Sequence, residues 1–212
     1  MGNKGIPGID EAKKILKKAE QMNPGPWISH SIYAADAAKL ISDNCQELDS
    51  EKAYILGLLH DIGRRAGITN MRHIIDGYTY SINEGYYLLA KICITHSFPT
   101  KNIKEAFGKW DCNQEEYNFV INYLNTVKYD DYDKLMQLCD TVALPNGFVL
   151  MEKRMVEVAL RHGTHEYTAP KWEATFEIKQ YFERLMGKSL YSILPKVIEN
   201  TFGNMLYKDF PI

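Results

Sequence analysis

The chain has 212 residues, 45% hydrophobic and 25% charged, which is the balance of a globular protein with one core or a core plus an appendage. A formal net charge of -2 and a pI near 6.3 argue against a general nucleic-acid binder or membrane-surface protein, because both need clustered positive charge. No run approaches the roughly 18 apolar residues that span a bilayer. Met1 to Pro7 lacks the apolar core of a secretory signal, and Ile6 stands where a myristoylation pattern wants Ser or Thr.

Apolar spacing predicts helices along almost the whole chain. Asp10 is the expected N-cap of a first amphipathic helix with Ala12, Ile15, Leu16 and Ala19 as its stripe. Asn23-Pro24-Gly25-Pro26 breaks the chain before a helix carrying His30. Asp49 caps a helix that ends at His60-Asp61, and Gly63 and Gly67 bracket a loop with Arg64 and Arg65. Ser81-Ile82-Asn83-Glu84 fits a capping box and is expected to start the helix running to His96. Asp111 with Gln114 opens a helix through Tyr123, and Lys128 to Asp133 begins one carrying Asp140, with acids near its positive end. Pro145-Asn146-Gly147 interrupts the chain, and Met151 to His162 resumes helically. Trp172 to Met186 and Leu190 to Met205 read as two further amphipathic helices, either completing a bundle or forming an interface such as a homodimer surface. Period-2 alternation is nearly absent, so no sheet is expected.

Several polar residues stand on faces that packing would fill with Leu or Val. Ala53, Leu56, Gly57 and His60 follow i, i+3, i+4, i+7, so His60 points where the core residues point. One buried polar group without a partner costs on the order of 2–7 kcal/mol. Taken alone, His60-Asp61 reads equally as a satisfied His with an Asp cap or as a pair of metal ligands. His30 shares its face with Tyr33, Ala34, Ala37 and Ile41, and Asp140 shares one with Met136, Ala143 and Leu144. His96 has Leu89, Ile92 and Cys93 on its face, while His73 sits in Asn70 to Tyr78. Imidazole and carboxylate together suit Fe, Mn, Zn or Mg rather than a thiolate metal. Cys45, Cys93, Cys112 and Cys139 form no C-x-x-C pair and read as small core residues, with the cytoplasm as the default compartment. His162 and His165 flank a Gly stop at a helix end, where the dipole alone favours them.

The order His30, His60-Asp61, Asp140, with the block Leu58-Leu59-His60-Asp61-Ile62-Gly63, resembles the HD superfamily of metal-dependent phosphohydrolases over about residues 25–162. The resemblance implies an all-α HD-domain helical bundle over residues 1–212, and a divalent ion held by His30, His60, Asp61 and Asp140. By the same resemblance His73 and His96 hold a second ion and Asp61 bridges the two. The alternative is that His73 or His96 contacts substrate phosphate around a single ion. The layout is similar to that of bacterial HD-type dinucleoside-polyphosphate hydrolases. The implied cofactor is one or two of Fe, Mn, Mg or Zn, and the implied partner a small phosphate compound, a nucleotide foremost, with no nucleic acid or membrane. Asp61 would take a proton from the attacking water. Arg64 and Arg65 are expected to pair with substrate phosphate, with Arg72 and Lys91 next. The reading from a different class is a metal-bound sensing or binding module without turnover.

Overall fold

A computed structural model describes residues 5–203; Met1-Gly2 and the expected helix end at Met205 lie outside them. Helix α1 (Ile9–Met22) buries Ala12, Leu16 and Ala19 of the stripe expected of it, with Ile15 half-buried, but its N-cap is Gly8, two residues before the expected Asp10. Helix α2 (Pro26–Ser42) and helix α3 (Ser50–Leu59) make the most extensive contact in the fold. Small side chains cause it: Ala34, Ala35, Ala37 and Ala38 are all buried, and a methyl on Gly57 would stand 2.6 Å from the Cα of Ala35. The two backbones therefore touch, which brings His30 of α2 beside His60 at the C-terminal end of α3. Asp49 caps α3 as expected, accepting from the Lys52 amide at 2.9 Å.

A tight 3-10 turn (Ile62–Ala66) follows, then α4 (Arg72–Asn83) and α5 (Tyr87–Thr95). The capping box expected at Ser81 to Glu84 does not form. Those residues close α4, and Gly85 at φ 78° turns the chain so that α5 starts after Tyr86. Helix α6 (Gln114–Thr126) is capped not by Asp111 but by Asn113, which forms a reciprocal box with Glu116. Asp111 instead accepts from the amides of Asn70 (2.7 Å) and Arg72 (2.8 Å), so it serves the start of α4 from across the fold. Those two amides hold the carboxyl below its usual range against a burial effect that raises it. Asp111→Ala should therefore destabilise the protein by about 1 kcal/mol at pH 7, the scale of a lost helix cap. A carboxylate with a depressed folded pKa stabilises above its unfolded value of 3.8 and loses that contribution as pH falls through the folded one. The gap in Tm between wild type and variant should accordingly close in acid below pH ~4; a gap that persists there would remove the charge from the explanation.

Helix α7 (Asp131–Val142), capped by Asp130, delivers Asp140. Two short strands, β1 (Ala143–Leu144) and β2 (Gly147–Phe148), pair antiparallel around the Pro145-Asn146-Gly147 break. Beyond them run α8 (Met151–His162), α9 (Thr168–Met186), α10 (Leu190–Ile193) and α11 (Val197–Phe202). The single helix expected from Leu190 is thus split, with Leu194 to Lys196 between the pieces. Ile178, Phe182, Met186, Leu190, Leu194 and Val197 belong to the same buried core as α1, α2, α3 and α7. A smaller apolar cluster of Ile74, Ile94, Phe98, Val120 and Leu124 joins α4, α5 and α6. No helix of the described residues is long and apolar enough to cross a membrane.

Candidate metal centre

Six side chains from five segments meet at one end of the bundle. His30 comes from α2, His60 and Asp61 from the end of α3, His73 from the first turn of α4, His96 from the end of α5 and Asp140 from α7. All four imidazoles are oriented in the same way. Nδ1 of His30 meets the Ala143 carbonyl at 3.1 Å, that of His60 the Gly57 carbonyl at 2.7 Å, and that of His96 the Ile92 carbonyl at 3.0 Å. His73 Nδ1 bonds the Asn70 carbonyl. A neutral ring that donates through Nδ1 offers a lone pair at Nε2, which is how proteins orient metal-binding histidines.

The four Nε2 atoms and the two carboxylates face one another. His30 Nε2 lies 2.9 Å from Asp140 Oδ1, and His60 Nε2 is 3.8 Å from the same oxygen and 4.0 Å from Asp61 Oδ2. Asp61 Oδ1 is 3.2 Å from His73 Nε2 and 3.7 Å from His96 Nε2. His60 Nε2 and Asp61 Oδ1 are buried with no hydrogen-bond partner. Acceptors thus face acceptors, and cations between them would resolve both the repulsion and the orphaned atoms. Among the described residues two groups could hold a metal ion, His30/His60/Asp61 and Asp61/His73/His96, and Asp61 is common to both.

Charge is distributed to suit. Burial would raise the Asp61 carboxyl, but Arg64, His73 and His60 outweigh it and hold it well below the usual carboxylate range. His30 and His60 do the same for Asp140. Burial pulls His60 down, yet Asp61 and Asp140 leave it raised. Burial and the neighbouring His60 push His96 down to about 3, so it stays neutral and able to ligate.

Five of the clustered residues, all but His60, line the floor of a cavity of about 830 Å³. Of the cations expected to meet phosphate, only Arg64 lines it; its Nε donates to Asp61 Oδ2 at 2.6 Å, and its Nη2 lies 3.5 Å from His73 Nε2. Asn23 anchors this turn by donating to the Arg64 carbonyl at 2.6 Å. The structure turns the other three away. Arg65 reaches Met22 Sδ and covers the Tyr80 ring at 4.4 Å. Arg72 pairs with Glu116 at 3.0 Å and Asp76 at 3.4 Å. Lys91 neutralises the buried Asp133 at 2.5 Å and Asp130 at 2.9 Å, an ion pair that braces α5 against α7. Sequence reasoning missed the opposite wall, where α8 and α9 bring Arg154, Arg161 and Lys171 to the cavity with Trp172, and Trp27 and Phe107 add aromatic surface.

The HD domain family matches residues 27–144, more than half of the chain. The chain belongs to the HD-domain family. Membership places it in a superfamily of metal-dependent phosphohydrolases, with a divalent metal as cofactor and a small phosphate compound as substrate. The matched segment contains all six clustered residues and ends before α8. No curated protein and no solved structure matches the chain significantly.

Proposed function

We propose that this protein hydrolyses a nucleotide or a similar small phosphate compound with water, using two divalent ions held by His30, His60, Asp61, His73, His96 and Asp140. The observation that carries the reading is Asp61, common to both ligand groups and with an orphaned oxygen at the floor of a nucleotide-sized cavity. When bound, divalent cations neutralise phosphoryl oxygens and make water a competent nucleophile near neutral pH. Asp61 is held ionised, the form needed both to ligate and to take a proton from the attacking water. Arg64 keeps guanidinium donors facing the cavity and can pair with phosphate oxygens. The aromatic rings of Trp27, Phe107 and Trp172 suit a base or another flat group. Helix α9 closes the cavity with Lys171, Trp172 and Thr175, which supports reading the C-terminal helices as part of the same domain.

Metal content of protein purified without chelator tests this reading, followed by a screen of nucleoside mono-, di- and triphosphates and dinucleoside polyphosphates. Near two equivalents of metal with turnover of one class is the expected result. Bound metal with no turnover across the panel would favour a sensing module instead. Near one equivalent would turn His73 and His96 into substrate contacts. The two arginines should also separate. Arg64→Ala is expected to lower kcat/KM on the order of a hundredfold, the scale of a lost charge-assisted contact. Arg65→Ala should leave the kinetics near wild type because its side chain points at Met22 and Tyr80. Equal losses in the two variants would remove the structural distinction between them.

A further inference from the structure

The cations missed in the sequence share a wall that belongs to this chain's own C-terminal helices. Arg154 and Arg161 lie on α8 and Lys171 on α9, all beyond the segment that matches the family. Arg154 and Arg161 are two helical turns apart on one face, so their Cα atoms stand about 10 Å apart along the wall. Lys171 Nζ donates to the carbonyls of Ser97 (2.9 Å) and Glu105 (3.4 Å) and lies 5.3 Å from the Phe107 ring. An ammonium has three N–H donors, so one remains for a ligand. Among the described residues none of the three cations is in an ion pair, in contrast to Arg72 and Lys91. Glu157 lies on the same wall, and Glu105 and Asp140 act on Lys171 through their charge; burial nonetheless leaves its ammonium destabilised. An ammonium whose hydrogen bonds go only to carbonyls is left destabilised by burial despite those charges, and a phosphate in the cavity would relieve that cost. Arg64, by contrast, is already seated on Asp61 at the cluster.

Positive charge is therefore supplied twice, at the floor and along the α8–α9 wall. We propose that Lys171, Arg154 and Arg161 form a second anion subsite, which holds a phosphate other than the one attacked. The substrate then carries at least two linked phosphates. This rests on the phosphohydrolase reading above. In the step implied, water's oxygen bonds to the phosphorus at the cluster, and the bridging P–O bond breaks. Its electron pair leaves with the phosphate on the α8–α9 wall, and the protons of water pass to the products or solvent. Lys171 and the arginines balance the charge that builds on the leaving phosphate.

The test uses metal-loaded full-length protein, with Lys171→Met and Lys171→Arg checked for folding by circular dichroism. The ratio of kcat/KM for a nucleoside diphosphate to that for the matching monophosphate should fall about tenfold or more in Lys171→Met and recover in Lys171→Arg. Pyrophosphate binding by calorimetry should weaken by a similar factor. An unchanged ratio together with unchanged pyrophosphate affinity would overturn the proposal, as would a wild type that cleaves monophosphates alone and does not bind pyrophosphate. If wild type hydrolyses nothing but still binds pyrophosphate through Lys171, the subsite stands and the hydrolase reading fails. Should Lys171→Met not fold, Arg161→Ala, on the exposed rim, carries the same measurements.

Discussion

Asp61→Ala is expected to empty both metal groups at once and to lower hydrolysis by at least about a thousandfold, roughly 4 kcal/mol of transition-state stabilisation. The expectation follows from sharing. Asp61 Oδ2 approaches His60, and Oδ1 approaches His73 and His96, so one carboxylate serves both halves of the cluster. His30→Ala and His73→Ala each remove a side chain from one group alone, and each should cost one equivalent of metal rather than two. Removing the carboxylate also leaves Arg64 without its 2.6 Å partner, with a guanidinium 3.5 Å from the His73 imidazole. Lost metal in Asp61→Ala is therefore partly a loss of ligand and partly unopposed positive charge. Asp61→Asn separates these terms from shape, since it keeps the volume and loses only the charge. Elemental analysis of the four variants, each checked for native circular dichroism, decides the matter. Full metal content in Asp61→Ala, or loss of both equivalents in His73→Ala, would contradict the shared-carboxylate arrangement.

The six clustered residues were legible in the sequence, four of them for a local reason. His30, His60, His96 and Asp140 are polar side chains on otherwise apolar helix faces, a mismatch visible within two turns of sequence; Asp61 was picked out by its adjacency to His60, and His73 by the family resemblance. The helices were legible on the same grounds, since the stripe of α1 and the run before His60 are buried as their spacing requires. The phosphate-binding cations were not. Arg154, Arg161 and Lys171 sit on amphipathic helices where Lys and Arg are ordinary, and only the packing of α8 and α9 brings them to the cavity. Adjacency to the motif misled in the other direction. Arg64 and Arg65 are neighbours, but a 3-10 turn rotates about 120° per residue, so the two diverge to the cavity and to Tyr80. Lys91 was expected at phosphate because its actual partner, Asp133, lies two helices later in the chain. The false capping box at Ser81 is a short pattern overruled by Gly85, whose positive φ ends α4 first.

Gly63→Ala should be the most damaging substitution outside the ligands, because Gly63 sets the distance between Asp61 and His73. A methyl there would overlap the His73 carbonyl oxygen and the Gly77 amide and stand 2.9 Å from the His73 carbonyl carbon. These are backbone atoms, so no side chain can rotate away. Gly77 makes the approach mutual, since a methyl on it would stand 2.9 Å from Cys93 Sγ and 3.2 Å from the Gly63 amide. The 3-10 turn holding Asp61 and Arg64 is thus seated directly on the first turn of α4 and, through Cys93, on α5 just before His96. Prising these elements apart is an overpacking cost of about 3 kcal/mol or more, which for a chain of this length lowers Tm by roughly 6–12 °C. The functional loss should exceed the stability loss. Asp61 Oδ1 and His73 Nε2 are 3.2 Å apart, and displacing one backbone from the other separates the pair that only Asp61/His73/His96 contains. Metal should therefore be lost from that group first, at temperatures where the variant is still folded. Gly8→Ala is the matched control, because nothing lies within 4 Å of a methyl there. Differential scanning calorimetry with metal analysis of the three proteins checks both parts. A Gly63→Ala protein with wild-type Tm and two equivalents of metal would show that the turn and α4 can separate without disturbing the site.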